Sequence, residues 1–278
     1  MKTSVLFSAL MLIVCSIGIA QETKSADNPV PFNDEDTGLF GFLDINTEEV
    51  VIPATYTWAK DFSEDLAAVY TDGELAESML DGHTFCRGCK CGFINKSGTA
   101  VIPLTYDDVE SFGSGLAAVC VKDKYGFIDK TGKIIIPLTY RVARGFTEGL
   151  ALVGIYDKEF KYGFINNSGT IVIPLIYGML SKSFKDGLAL VDKGGKYGFI
   201  DKSGKAIIPL VYDYATEFED GIANVSKNEK FGCIDKSGVE VIPVIYDNMY
   251  DFEYDVVKVE LKGETFYINK KGERVENN

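Results

Sequence analysis

One phrase recurs down the chain and constrains its fold more than any other feature. An aromatic residue and Gly are followed by Phe-Ile-Asp/Asn, a Gly turn, Ile-Pro, a Tyr, and then Phe-x-x-Gly-Leu-Ala-x-Val. A clear copy runs from Tyr125-Gly126-Phe127-Ile128-Asp129 through Gly132, Ile136-Pro137, Tyr140 and Phe146 to Gly149-Leu150-Ala151-Leu152-Val153. The Gly that follows the aromatic residue falls at Gly41, Gly92, Gly126, Gly163, Gly198 and Gly232. From Gly92 onward the spacings are 34, 37, 35 and 34 residues; the first interval is 51, so an insert lies at about residues 72–90. A degenerate seventh copy follows at Phe266-Tyr267-Ile268-Asn269 and Gly272, without Ile-Pro. Each copy is one supersecondary unit that buries its apolar surface against its neighbours.

Each part of the phrase has a local physical reading. Tyr-Gly-Phe-Ile-Asp is short, β-rich and partly alternating, which predicts a strand. Asp-Lys-Ser/Thr-Gly-Lys predicts a hairpin loop, with Gly98, Gly132, Gly169, Gly204, Gly238 and Gly272 supplying a residue of positive φ. The run Ile134-Ile135-Ile136 and its equivalents return as a second strand, and proline ends the pairing because it has no backbone donor. A connection of about a dozen residues leads to a third strand, Gly-Leu-Ala-x-Val. The repeated glycines read as turn chemistry. No Gly-x-Gly-x-x-Gly lies between a strand and a helix, so a phosphate loop is not indicated.

The expected fold is therefore all-β: tandem three-stranded antiparallel repeats of about 34 residues. A propeller-like ring of six or seven blades is favoured over an open β-superhelix. For a ring, the Tyr-to-Phe connection would have to serve as a short outer strand, and the hairpin from Phe40 to Pro53 stands alone at the start.

The phrase resembles the bacterial tryptophan-glycine (WG) repeat family, and the resemblance covers nearly everything from Leu39 to Glu276. The family's Trp-Gly pair falls on Phe40-Gly41, Cys91-Gly92, Tyr125-Gly126, Tyr162-Gly163, Tyr197-Gly198 and Phe231-Gly232. No Trp stands at any of these sites; the single Trp58 lies in a connection. The resemblance implies a β-rich repeat scaffold, often exported, and no activity, cofactor or catalytic residue.

Residues 1–20 read as a secretory signal. Lys2 is the positive start, Val5 to Val14 the apolar run, and Gly18-Ile19-Ala20 the small residues before a cut. The alternative is lipoprotein anchoring at Cys15, although Leu12-Ile13-Val14 fits that processing poorly. No segment is long and apolar enough to span a bilayer. Residues 21–36 are polar, with Pro29 and Pro31, and predict a flexible linker before a single repeat domain over 37–276. These features place the protein outside the cytoplasm, in the periplasm or beyond the cell.

The chain carries 28 basic and 41 acidic side chains, a net charge of −13. That argues against nucleic acid and anionic membrane surfaces as partners. Lysines gather beside the hairpin turns, at Lys96, Lys130, Lys133, Lys202, Lys205, Lys236, Lys270 and Lys271. Acids gather in the connections, at Asp107, Asp108, Glu110, Asp213, Glu217, Glu219, Asp220, Asp247, Asp251, Glu253 and Asp255. In register, the two sets would form separate belts. The acidic belt is either a solvated rim or a binding surface for a cationic partner or a divalent cation.

The segment His83 to Cys91 departs from the repeat and sits in the insert. His83, Cys86, Cys89 and Cys91 are four soft or borderline ligands suited to tetrahedral zinc. In an oxidising compartment a disulfide is the simpler expectation, Cys86 pairing with Cys91 or with Cys89 and leaving a third thiol. A redox role lacks the strand–helix context that lowers a thiol pKa. Cys120 and Cys233 sit in predicted strands as small buried apolar residues.

No Gly-x-Ser-x-Gly elbow appears, and a Ser-His-Asp triad would have only His83 to use. Scattered carboxylates say nothing by themselves about glycosidase chemistry. The chain is expected to be a non-enzymatic scaffold that binds a protein or glycan through its repeated β surface. An exported carbohydrate-active enzyme and a structural metal-binding repeat protein are the alternatives. No cofactor is expected beyond zinc at the His/Cys segment.

Overall fold

The computed structural model describes residues 29–77, 84–178 and 183–276. All regular structure among them is β; none of these residues is helical, so none belongs to a helix able to cross a membrane.

The third sheet shows how the sequence builds the unit. Its strands run Asp108–Val109, Leu116–Val121, Lys124–Asp129 and Ile134–Tyr140, all antiparallel and in chain order across the sheet. Leu116–Val121 and Lys124–Asp129 meet through a two-residue loop with Lys122 at φ 50° and Asp123 at φ 59°. Positive φ at both central residues is the hairpin turn whose twist matches the strands. The next loop closes on Gly132 at φ 84°. There Asp129 Oδ1 accepts the N–H of Thr131 at 2.9 Å and of Lys133 at 3.1 Å. The turn glycines of the phrase therefore do what the sequence predicts.

Gly126 has a different reason to be glycine. Tyr125 pairs with Tyr140 and Phe127 with Ile136, so the return strand carries two extra residues opposite Gly126. This bulge holds Pro137, which needs no ladder partner there. It arches so close that a Cβ on Gly126 would meet Ile136 O at 2.5 Å and Leu138 N at 2.8 Å. The same crowding recurs at Gly41, Gly92, Gly163, Gly198 and Gly232. These glycines are thus strand residues without room for a side chain, not turn residues.

Sheets of this kind follow one another along the chain. The first comprises Val30–Asn33, Phe40–Leu43 and Val50–Tyr56; the second Trp58–Ala59, Leu66–Thr71, Lys90–Asn95 and Ala100–Tyr106. The fourth runs from Val142–Ala143 to Ile171–Tyr177, the fifth from Leu188–Lys193 to Ala206–Tyr212, the sixth from Tyr214–Ala215 to Glu240–Tyr246. The seventh comprises Asn248–Glu253, Val256–Leu261, Glu264–Asn269 and Arg274–Val275. The insert is a separate two-stranded hairpin, Glu74–Glu77 with Thr84–Arg87.

Three expectations change here. The connection does supply a short edge strand, so the complete sheet has four strands rather than three. Each sheet also joins parts of two phrases, because Gly-Leu-Ala-x-Val pairs with the Tyr-Gly-Phe strand of the next copy. Finally, Val30–Asn33 is no linker. It pairs with Phe40–Leu43, so the hairpin at the start is the rest of a three-stranded sheet.

The packing is blade-like, with consecutive sheets sharing cores. Ile128 of the third sheet packs with Phe93 and Ile102 of the second, while Phe127 and Ile136 pack with Ala151, Val153 and Ile165 of the fourth. At the first five interfaces the connection's Phe meets the Phe of the preceding sheet. The ring pairs are Phe42–Phe62, Phe93–Phe112, Phe127–Phe146, Phe164–Phe184 and Phe199–Phe218, with centroids 4.5–5.0 Å apart. Such tilted contacts add about 0.5–1.5 kcal/mol each beyond burial.

Candidate functional site

The acidic connections do not form a belt apart from the lysines. Asp107 accepts the backbone N–H of Lys122 at 2.8 Å and pairs with Lys90 Nζ at 2.6 Å. Asp213 does the same with Asn228 N–H and Lys196, and Asp247 with Lys262 N–H and Lys230. Each of these acids thus ties the connection to the hairpin loop of its own sheet. Their carboxyls are held below the usual carboxylate range, first by the lysine and then by the backbone N–H.

A second set of pairs joins sheets. Glu64 meets Lys130 at 3.2 Å, Glu148 meets Lys202 at 2.8 Å, Asp186 meets Lys236 at 2.7 Å and Asp220 meets Lys270 at 2.8 Å. In each, the acid precedes the start of a Gly-Leu-Ala strand and the lysine lies in the hairpin turn of the next sheet. The roughly 34-residue register therefore brings the lysines onto the acids instead of separating them, which overturns the two-belt expectation.

Asp108 and Glu110 belong to a polar row along the short edge strands. Asp108 is buried and accepts the hydroxyl of Tyr125 at 2.8 Å. Glu110 meets Lys60 of the second sheet at 3.0 Å and Arg144 of the fourth at 3.9 Å. Lys60 Nζ also donates to Val109 O at 3.0 Å, and Tyr70 OH donates to the same carbonyl at 2.8 Å. Burial and the neighbouring Asp108 push the Tyr70 and Tyr125 hydroxyls far above their ordinary values. Long side chains thus bridge the second, third and fourth sheets.

The row does not continue into the last sheets. Thr216 takes the same position in the sixth, and its hydroxyl is occupied by the N–H of Asn224 at 3.0 Å. A cleft of about 620 Å³ opens there between the sixth and seventh sheets. Phe218, Ile222 and Phe252 supply its apolar lining, with Glu217, Glu219, Asp220 and Asp251 among its polar groups. Tyr254 lies at the rim, 96% exposed. Four of the acids singled out in the sequence thus converge on this cleft. Glu253 is exposed on the edge strand Asn248–Glu253 and is not part of the lining.

Of the insert, His83 lies outside the described residues, as does the side chain of Cys86. Cys89 is disulfide-bonded, so its sulfur is not a thiolate available to zinc. Cys91 occupies the aromatic slot, is fully buried and donates its S–H to Tyr106 O at 3.2 Å. Cys120 and Cys233 are buried free thiols. Burial raises the Cys91 pKa, pushes Cys120 up to about 11 and Cys233 up to about 12. None of these three is a poised nucleophile.

The profile of the "WG containing repeat" family matches residues 40–74, 92–125, 125–158, 162–197, 197–231 and 231–264. The chain matches no curated protein. Among solved structures it is similar to a eukaryotic initiation factor at 10% identity and TM-score 0.36, over 92% of this chain and 88% of that one. BamB from Moraxella catarrhalis is similar at 12% identity and TM-score 0.36, over 76% of this chain and 70% of that one. PorZ from Porphyromonas gingivalis, a surface component of the type-IX secretion system, is similar at 12% identity and TM-score 0.36, over 87% of this chain but only 38% of its own. Likeness at these scores says nothing of what this chain does.

Proposed function

The chain belongs to the WG-repeat family, and on that premise we propose that it is an exported, non-enzymatic scaffold that binds a protein or glycan partner through its repeated β surface. The observation that carries this reading is the use to which its polar groups are put. Asp107, Asp213 and Asp247 secure hairpin loops, Glu64, Glu148, Asp186 and Asp220 secure neighbouring sheets, and Glu110 bridges three sheets. The described free thiols are buried with raised pKa values.

Export is supported by the apolar run after Lys2 and by the disulfide at Cys89, a bond that persists in oxidising compartments. Cell fractionation tests this: recovery in the periplasm or medium is expected, and recovery in the cytoplasm would overturn it. The binding reading is tested by incubating the purified chain with polysaccharide and envelope-protein fractions. Retention is measured by pull-down and product formation by mass spectrometry. Retention without product is expected. Cleavage of any fraction would establish the carbohydrate-active or another enzymatic reading instead.

A further inference from the structure

We propose that the cleft between the sixth and seventh sheets is a docking site for a basic peptide segment, taking an Arg or Lys side chain whose stem lies on its aromatic floor. The inference rests on reading the chain as a binding scaffold and names the chemistry of one partner.

The cleft exists because the sixth sheet departs from the repeat at three positions on one side. Thr216 stands where Lys60, Glu110 and Arg144 bridge sheets elsewhere, and its short side chain is taken up by the N–H of Asn224 in its own sheet. Asn224 stands where the third sheet has Ala118, fully buried. Cys233 stands where Phe42, Phe93, Phe127, Phe164 and Phe199 each meet a connection Phe. The equivalent connection residue, Phe252, therefore lacks that ring partner and remains half-buried at the cleft. The seventh sheet adds its own departure. Tyr254 occupies the place of the acids that hold the next sheet's lysine, at φ 59° and almost wholly exposed. A bulky side chain at positive φ is a rare and strained choice.

Charge selects the occupant. Among the described residues four carboxylates line the cleft against two amines, Lys185 and Lys270, and one of the four, Asp220, is paired with Lys270. Lys270 is already paired with Asp220 and Asp255, and Lys185 Nζ donates to Phe218 O at 3.4 Å. The whole chain carries −13, so its far field draws cations. An anionic ligand is disfavoured at both ranges. A guanidinium or ammonium gains from the carboxylates and from the face of Tyr254, and its alkyl stem covers Phe218 and Phe252. The volume falls in the range of sites that take small ligands or single peptide anchors.

The test is fluorescence anisotropy with fluorescein-labelled hexa-arginine at low and physiological salt, on the full chain. Glu217→Gln with Asp251→Asn is expected to weaken binding about tenfold, and Tyr254→Ala about fivefold. Glu48→Gln with Glu49→Gln removes the same charge from the exposed turn of the first sheet and is expected to change it less than about twofold. Thermal unfolding of every variant shows whether it folds. Should the acid pair or Tyr254→Ala unfold, Lys185→Glu enlarges the negative charge and is expected to tighten binding. Equal weakening by both acid pairs would reduce the effect to net charge and overturn the site. So would tighter retention of neutral chitohexaose than of the peptide. Binding that persists elsewhere on the chain would remove the cleft and leave the scaffold reading standing. Turnover of a bound ligand would remove the scaffold reading and leave the cleft.

Discussion

The third and seventh sheets share strand order and loop chemistry, yet they treat their two faces differently. In the third, Leu116, Ala117, Ala118, Val119 and Cys120 are all buried, because a sheet packs on either side. In the seventh, Val257 and Val259 are buried while Lys258 is exposed. Phe266 sits where Gly126 does, and Tyr267 sits where Phe127 does. The seventh sheet's final strand is only Arg274–Val275, with no Ile-Pro bulge. Among the described residues no bulge arches over its neighbour, so a phenyl ring fits where the other sheets have no room for a Cβ. The comparison separates what a sheet needs in order to form from what it needs in order to be followed by another.

The largest expected difference lies at the buried ring. Phe127→Ala removes a fully buried side chain and its contact with Phe146, at a cost of about 3–5 kcal/mol. Tyr267→Ala removes a half-buried ring from the equivalent position, and a cost under about 1 kcal/mol is expected. Urea unfolding of the two variants measures both. Equal losses would mean that the seventh sheet's outer side is as well packed as an interior one.

Next is the crowded glycine. Gly126→Ala places a Cβ against backbone atoms that cannot rotate away, and a loss of about 3 kcal/mol is expected. Phe266→Ala in the seventh sheet meets no such wall and should lose the ring's partial burial, its edge contact with Tyr246 and its contact with Arg274, whose guanidinium lies 4.3 Å from the ring centre. A mild Gly126→Ala would show that the bulge can shift, and the steric account of the aromatic-Gly pair would fail.

These positions also show what could be read from the sequence. Gly132 and Pro137 act through their own φ and their own missing donor, which are local properties, and their roles were legible. Gly126 is fixed by a bulge in a partner strand, so its crowding was visible only once the register was known. Val30–Asn33 has a polar surround and a proline, and nothing local marks it as a strand; its pairing with Phe40–Leu43 is a tertiary fact. Lys130, Lys202, Lys236 and Lys270 stand out along the phrase, but of their partners only Asp220 does; Glu64, Glu148 and Asp186 are not among the acids the connections single out. Their meeting across sheets depends on the stagger between copies, which the sequence does not print. The cleft has a signal: Cys233 and Asn224 interrupt columns that are Phe and Ala or Leu in the second to fifth sheets, and aligning the copies shows both. What that alignment could not show is that Thr216, Cys233 and Tyr254 meet at one interface.

A smaller effect belongs to the turn that both sheets keep. Gly132 has φ 84° and Gly272 has φ 78°, and a Cβ at Gly132 would meet only Ile102 side-chain atoms at ordinary contact. The cost of substitution is therefore conformational. Gly132→Val should lose about 2 kcal/mol and Gly132→Asn under about 1 kcal/mol, since Asn tolerates the left-handed region. Thermal unfolding that failed to rank Val below Asn would refute the assigned turn.

The smallest effect concerns a device that is the same in both sheets. Asp107 ties the connection to the Lys122 loop and Asp247 does so at Lys262. Lysine and backbone N–H hold both carboxyls below the usual range. A depressed folded-state pKa means stability that is fully present above the unfolded value, about 3.9, and is lost as pH falls through the lower folded value. Melting temperature should therefore stay flat from pH 7 to about 5 and decline below about 4. Asp107→Asn and Asp247→Asn should each give a small loss at pH 7 that shrinks as the pH falls, because the wild type loses the same charges there. Salt should reduce it further, since both pairs are largely exposed. A loss confined to Asp107→Asn would mean that the loop tie, like the packing, depends on having a sheet on both sides.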